Sequence, residues 1–159
     1  MLISVYTDGS CDNSKGIGSY GYVIMAKFKG ENYLRKHSSK KYMDTTNNRM
    51  ELKAIIKALE SIDIGHNIDV YSDSKYCVDG INQWIDGWIK KGNLRDKMNF
   101  ELWQRFRDVR KVHRDGGTTI NVTWVRGHNG NEFNEMADKL ANVGRLNIDD
   151  GGRNCKKLN

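Results

Sequence analysis

The chain has 159 residues, enough for one α/β core and short for two, and its 26 Lys and Arg against 20 Asp and Glu leave a net charge of +6, which favours a polyanionic partner. No apolar run approaches the roughly 18 residues of a membrane span, and the opening MLISVYTDGS lacks the basic and apolar segments of a signal peptide. Three widely spaced cysteines, Cys11, Cys77 and Cys155, include no CxxC pair and support neither a disulfide framework nor a zinc site, so the sequence predicts a cytoplasmic protein with reduced thiols.

Residues 2–7 alternate apolar and polar side chains in a β-rich run that Asp8-Gly9-Ser10 closes, which puts a carboxylate at a strand tip. After a glycine-containing loop over 11–18, residues 20–28 and 33–38 read as two further strands joined through Lys29-Gly30-Glu31, an antiparallel meander. Thr45 or Thr46 can cap a helix in which Met50, Ala54, Ile55, Ala58, Leu59 and Ile62 recur at helical spacing, with Glu51 in the first turn.

Residues 68–72 form a short strand ended by Asp73. Ser74 then opens a helical stretch toward Trp84, the strand-then-helix order of a parallel βαβ unit. Residues 84–98 are less regular and carry Lys90, Lys91, Arg95 and Lys97, a basic protrusion. Helical spacing resumes with Phe100, Trp103, Phe106 and Val109, a strand follows over 118–125, and Gly127-His128-Asn129-Gly130 forms a loop. A last helix over about 131–142 is expected to bury Met136, Leu140 and Val143. The sequence predicts one folded domain over residues 1–143 and a polar, loosely packed tail over 144–159.

Asp8 and Asp73 each follow a strand, Glu51 opens a helix, and Asp138 lies one helical turn after Asn134. If the two strands are parallel neighbours, Asp8 and Asp73 leave the sheet at one carboxyl edge, where α/β proteins place their sites. Any one of these acids alone reads as a turn former or a helix cap. Carboxylates converging from separate elements are the donor set of hard divalent cations that promote phosphoryl transfer.

The flanking residues occur in a recognisable order: Thr7-Asp8-Gly9-Ser10-Cys11, Thr45-Thr46-Asn47-Asn48-Arg49-Met50-Glu51-Leu52, Ser72-Asp73-Ser74, Trp124-Val125-Arg126-Gly127-His128, and Asn134-Glu135-Met136-Ala137-Asp138. From about Leu2 to Ala141 this pattern resembles type 1 ribonuclease H of the bacterial kind. The resemblance implies a five-stranded mixed sheet, three antiparallel strands followed by two parallel ones, flanked by helices. It also implies an endoribonuclease that hydrolyses the RNA strand of RNA–DNA hybrids with two Mg²⁺ ions, Mn²⁺ being a substitute, and leaves 5′-phosphate and 3′-hydroxyl ends.

By that resemblance Asp8, Glu51, Asp73 and Asp138 are the metal-binding carboxylates, and His128 is the loop histidine that relays a proton or assists product departure. Asn47 and Asn48 match the asparagine pair that meets the RNA strand, Cys11 stands at a neighbouring loop contact, Asn13 lies beside the first-loop asparagine position, and Lys75 stands at the substrate-binding position after Asp73 with a changed residue type. Thr46 and Asn99 match a phosphate pocket, and Trp84 and Trp88 an aromatic pair that presses on deoxyribose. As bare sequence, the asparagines also read as helix caps and the tryptophans as core. Asp44 departs from the pattern, standing where an arginine commonly meets DNA phosphate; Lys75 and Ser14 also differ, and the segment from Trp84 to Trp103 is shortened.

Related transposases, integrases and resolvases share such a fold and acidic site but lack the NNRMEL and GHxG blocks together. A non-catalytic hybrid-binding module would lack a carboxylate, and none is missing. Nothing in the sequence calls for an obligate protein partner or a membrane, and a monomer is expected.

Overall fold

A computed structural model describes residues 1–127 and 130–146, together with the backbone of a strand over 154–158. Among the described residues no helix is long and apolar enough to cross a membrane.

Three antiparallel strands come first: β1 (Leu2–Asp12), β2 (Ile17–Phe28) and β3 (Glu31–Ser38). The β2–β3 hairpin turns on Lys29 and Gly30, whose φ of 50° and 77° match the right-handed twist of the strands. Helix α1 (Asn47–Glu60) then leads to β4 (Asn67–Ser72). Next come α2 (Lys75–Asp79), a wide turn over Gly80–Trp84, α3 (Ile85–Lys91) and α4 (Phe100–Asp115). β5 (Thr119–Trp124) and α5 (Glu132–Leu146) follow.

The sheet order is β5-β4-β1-β2-β3, with β4 and β5 parallel to β1, which is the expected five-stranded arrangement. A sixth strand, β6 (Asn154–Leu158), pairs antiparallel with β3 in the segment expected to be a loose tail. A backbone ladder does not require an apolar face, so polar composition did not reveal it.

β1 runs five residues beyond the expected end at Thr7. Its ladder with β2 continues from Asp8↔Gly21 to Asp12↔Ile17, whereas its ladder with β4 stops at Thr7↔Ser72. Asp8 therefore stands not at a strand tip but where β1 loses its parallel neighbour.

α1 packs on one face of the sheet through Met50, Leu52, Ile55, Ile56 and Leu59, joined by Trp103 and Phe106 of α4. α5 packs on the other. Met136, Leu140 and Val143, expected in the core, are only half-buried; Ala137, Ala141 and Gly144 take the fully buried positions. Close approach explains this. A Cβ on Gly21 would lie 2.7 Å from the Ala141 amide nitrogen, and the hydroxyls of Ser19 and Ser38 donate to the Ala141 and Leu140 carbonyls. Only small residues fit that seam.

The helical stretch expected after Ser74 is present and runs on without a break to Lys91, widening over Gly80–Trp84. Trp103 lies where a Gly80 side chain would go, so a glycine is required there.

Candidate active site

Strand alternation puts Tyr6, Asp8 and Ser10 on the α5 face of β1 and leaves Thr7, Gly9 and Cys11 toward α1. Gly9 is the hinge of the arrangement. A Cβ there would lie 2.6 Å from the Glu51 amide nitrogen and 2.8 Å from the Met50 carbonyl carbon, so its absence lets α1 come down onto the rim. Thr46 caps α1 by accepting from the Arg49 amide at 3.3 Å. The helix begins at Asn47, so Glu51 opens the second turn rather than sitting in the first, on the buried side.

Asp8, Glu51 and Asp73 each offer a ligand oxygen such that all three atoms lie within 4.8 Å of one another. Asp138 falls outside that tight set but lines the same cavity with Thr7, Asp8, Asp73, Gly127, Asn134 and Glu135. Its charge helps to raise the Asp8 pKa. Glu135, exposed on α5, stands at the edge of the same cavity. Trp124 steadies the rim by donating its indole N–H to the Asp73 carbonyl at 3.2 Å, a contact the sequence reading missed.

Asp8 is 7% exposed and Glu51 4%. Burial pushes the Asp8 carboxyl from its ordinary 3.8 up to about 8; a hydrogen bond with Glu51 lowers it, and the Asp73 charge adds to the rise. Burial first, then the Asp8 and Asp73 charges, push Glu51 well above its ordinary value. Glu51 Oε2 is buried with no hydrogen-bond partner. An orphaned oxygen beside two more carboxylates fits a hard divalent cation, which would relieve both the repulsion and the missing contact.

The sign of the resulting pH dependence follows directly. Between about pH 4 and pH 8 the folded protein keeps a proton on Asp8 that the unfolded chain releases, so stability falls as pH rises through that window. Each pH unit costs about 1.4 kcal/mol per proton retained. Thermal unfolding in chelator should show a falling midpoint from pH 5 to pH 8, recovery on adding divalent cation at pH 8, and a flatter profile in Asp8→Asn. A wild-type midpoint that rises with pH contradicts this.

The other expected positions take three places. Cys11, half-buried, donates its thiol to the Thr45 carbonyl at 3.7 Å; Asn13 is exposed in the turn after β1, and Thr46, Asn47 and Asn48 are exposed at the start of α1. Asn99, with φ 61°, precedes α4, accepts from Arg49 at 3.1 Å and donates to the Tyr76 hydroxyl at 3.1 Å. Arg49, which also pairs with Glu101, thereby links Thr46 to Asn99 and was not singled out from sequence. Asp44 is exposed with φ 52°.

Trp84 and Trp88 lie with ring centroids 5.9 Å apart; Trp84 is 37% exposed, and Trp88 packs edge-on against Trp103. Trp103 is the fully buried tryptophan; Trp84 stands at the surface, and Trp88, half-buried, packs against the core. Lys97 sits over the Trp88 ring, and Lys90 and Lys91 end α3 beside it. Lys75 is exposed over Trp124. His128 lies outside the described residues.

A mixed sheet whose central parallel strands bring carboxylates to one carboxyl edge defines an α/β protein with an acidic site suited to hard divalent cations. Residues 2–145 match the RNase H family, and the chain belongs to it. It is 39% identical over 146 residues to ribonuclease HI of Campylobacter jejuni serotype O:2, covering 92% of each chain. Ribonuclease H of Trichodesmium erythraeum is 42% identical over 144 residues, covering 87% of this chain and 85% of the relative. Among solved structures, LC9-RNase H1, described as a type 1 RNase H with the type 2 active-site motif, superposes with a TM-score of 0.78 at 28% identity, covering 98% of this chain and 77% of that one.

Proposed function

We propose that this protein is an endoribonuclease that hydrolyses the RNA strand of RNA–DNA hybrids, with Mg²⁺ as its cation, and that it works as a cytoplasmic monomer. The observation that carries the reading is the convergence of Asp8, Glu51 and Asp73 on one point, with Asp138 on the same cavity, in a chain of the RNase H family. Those four carboxylates would hold the cations. A pair of divalent cations, when bound, lowers the pKa of the attacking water and neutralises charge on the departing 3′ oxygen, giving 5′-phosphate and 3′-hydroxyl ends.

The chain's own groups divide the remaining work. Gly9 and the Thr46 cap hold Glu51 over the rim, and Trp124 holds the Asp73 backbone. Exposed Asn47 and Asn48, with Cys11, Asn13 and Lys75, would meet 2′-hydroxyls, which both donate and accept hydrogen bonds. Thr46 and Asn99, bridged by Arg49, would receive a phosphate of the DNA strand, and the Trp84–Trp88 pair would press on deoxyribose.

His128 is proposed to move a proton or help the product leave, a supporting part. His128→Ala should therefore slow turnover by about 100-fold while leaving cleavage detectable. Asp73→Asn should leave almost none. Equal losses in the two variants would overturn this division of roles.

Lys90, Lys91, Arg95 and Lys97 form the basic side of the protrusion. Four phosphate contacts imply that hybrid affinity falls by about 100-fold between 50 and 200 mM salt. A flat profile, measured with a chelator present to prevent cleavage, counts against a grip built on these residues.

A further inference from the structure

Ser10, Asn142 and Arg145 form a polar cluster next to the carboxylates that the proposed chemistry leaves unused. Ser10 lies two residues after Asp8 on β1, so the two side chains share a face; Asn142 lies four after Asp138 on α5, one turn along. The Ser10 hydroxyl donates to Asn142 Oδ1 at 2.7 Å, and Arg145 Nε donates to the same hydroxyl at 2.8 Å. Arg145 Nη2 donates to Asn142 Oδ1 at 3.3 Å, and Asn142 Nδ2 donates to the Asp138 carbonyl at 3.0 Å. The ring of contacts is closed. It ties the strand segment that carries Asp8 to the helical turn that carries Asp138.

Such a tie has work to do there. The small-residue seam of Ala137, Ala141 and Gly144 offers little to interlock against sliding or rolling of α5. Ser19 and Ser38 anchor the helix toward β2 and β3. On the β1 side Ser10 hydrogen-bonds Asn142 and Arg145, beyond the Tyr6–Phe133 ring contact. All three residues are half-buried, where hydrogen bonds are less screened than at the surface, and Gly144 seats the last turn of α5 tightly enough on Ser39 and Ser19 to aim Arg145 at Ser10.

We propose that Arg145 is a positioning residue: through Ser10 and Asn142 it sets the spacing between Asp138 and Asp8 at which the two carboxylates serve a divalent cation in common. This rests on the reading of the rim as a cation site. Arg145 touches neither the cation nor the substrate; its effect passes through the turn of α5.

Calorimetric titration of the purified full chain with Mn²⁺ alone, without nucleic acid, tests it. Arg145→Met and Ser10→Ala should each weaken Mn²⁺ binding by about tenfold, the scale at which groups behind metal ligands act. Thermal midpoints in chelator should stay within about 2 °C of wild type, because the contacts are half-exposed. In an Asp138→Asn background, Arg145→Met should add nothing further, since the residue acts through Asp138. Wild-type affinity in both single variants overturns the proposal, as does a full additional tenfold loss in the Asp138→Asn background. Wild-type protein that binds Mn²⁺ yet cleaves no hybrid would sink the proposed activity and leave this inference standing; cleavage by a wild type whose Mn²⁺ affinity ignores Arg145 would do the reverse.

Discussion

Glu51→Gln should lower hybrid cleavage by about a thousandfold or more and at the same time make the cation-free protein more stable at pH 8. The activity loss follows from the donor set: an amide oxygen replaces one of three carboxylate oxygens that lie within 4.8 Å of one another, and the site loses a charge it uses to hold cations. A thousandfold corresponds to about 4 kcal/mol of lost transition-state stabilisation. The stability gain has the opposite origin. Glu51 is buried beside Asp8 and Asp73 with Oε2 unpartnered, so a neutral isostere removes a repulsion the fold otherwise endures. A gain of about 2 kcal/mol at pH 8 is expected, shrinking toward pH 4, where the carboxyl is protonated in either state. Urea unfolding in chelator reads the second effect and initial rates read the first. A variant that loses both activity and stability would mean that Glu51 is a structural residue.

Gly9→Ala should be nearly as damaging to activity without touching a carboxylate. The added Cβ would meet the backbone of Met50 and Glu51 at 2.6 to 2.8 Å, and helix backbone cannot yield locally. α1 must therefore move away by about 1 Å to reach ordinary contact, carrying Glu51 with it. Displacements of that size cost about 100-fold in rate, and overpacking costs about 2 kcal/mol in stability. Rate and urea midpoint should fall together, and excess divalent cation should restore only part of the rate. Wild-type behaviour in both would show that α1 does not rest on Gly9.

The elements that carry the carboxylates were legible because each is signalled locally. Alternation marks β1, the 3.6-residue period marks α1, and strand-then-helix order around Asp73 marks the parallel crossover that places it beside Asp8. What stayed hidden depends on partners distant in the chain. β1 runs past Asp8 because β2 continues to pair with it after β4 has ended, and no residue within β1 announces that. The α5 seam fully buries Ala137, Ala141 and Gly144 and leaves Met136 and Leu140 half-buried at its edge, because the helix backbone comes down closely on β2 at Gly21. Trp103 is fully buried, with Trp88 packed half-buried against it, for a similar reason: Gly80 opens the space Trp103 occupies. Arg49, Trp124 and Arg145 act through contacts to residues 50, 51 and 135 positions away, which sequence spacing does not encode.

Incubating the protein with RNA–DNA hybrids labelled on either strand, first with Mg²⁺ and then with chelator, addresses the central claim most directly. Cleavage of the labelled RNA strand alone, yielding 5′-phosphate ends and stopping when the cation is removed, is the expected result. Cleavage of the DNA strand, or RNA cleavage that persists in chelator, would contradict it.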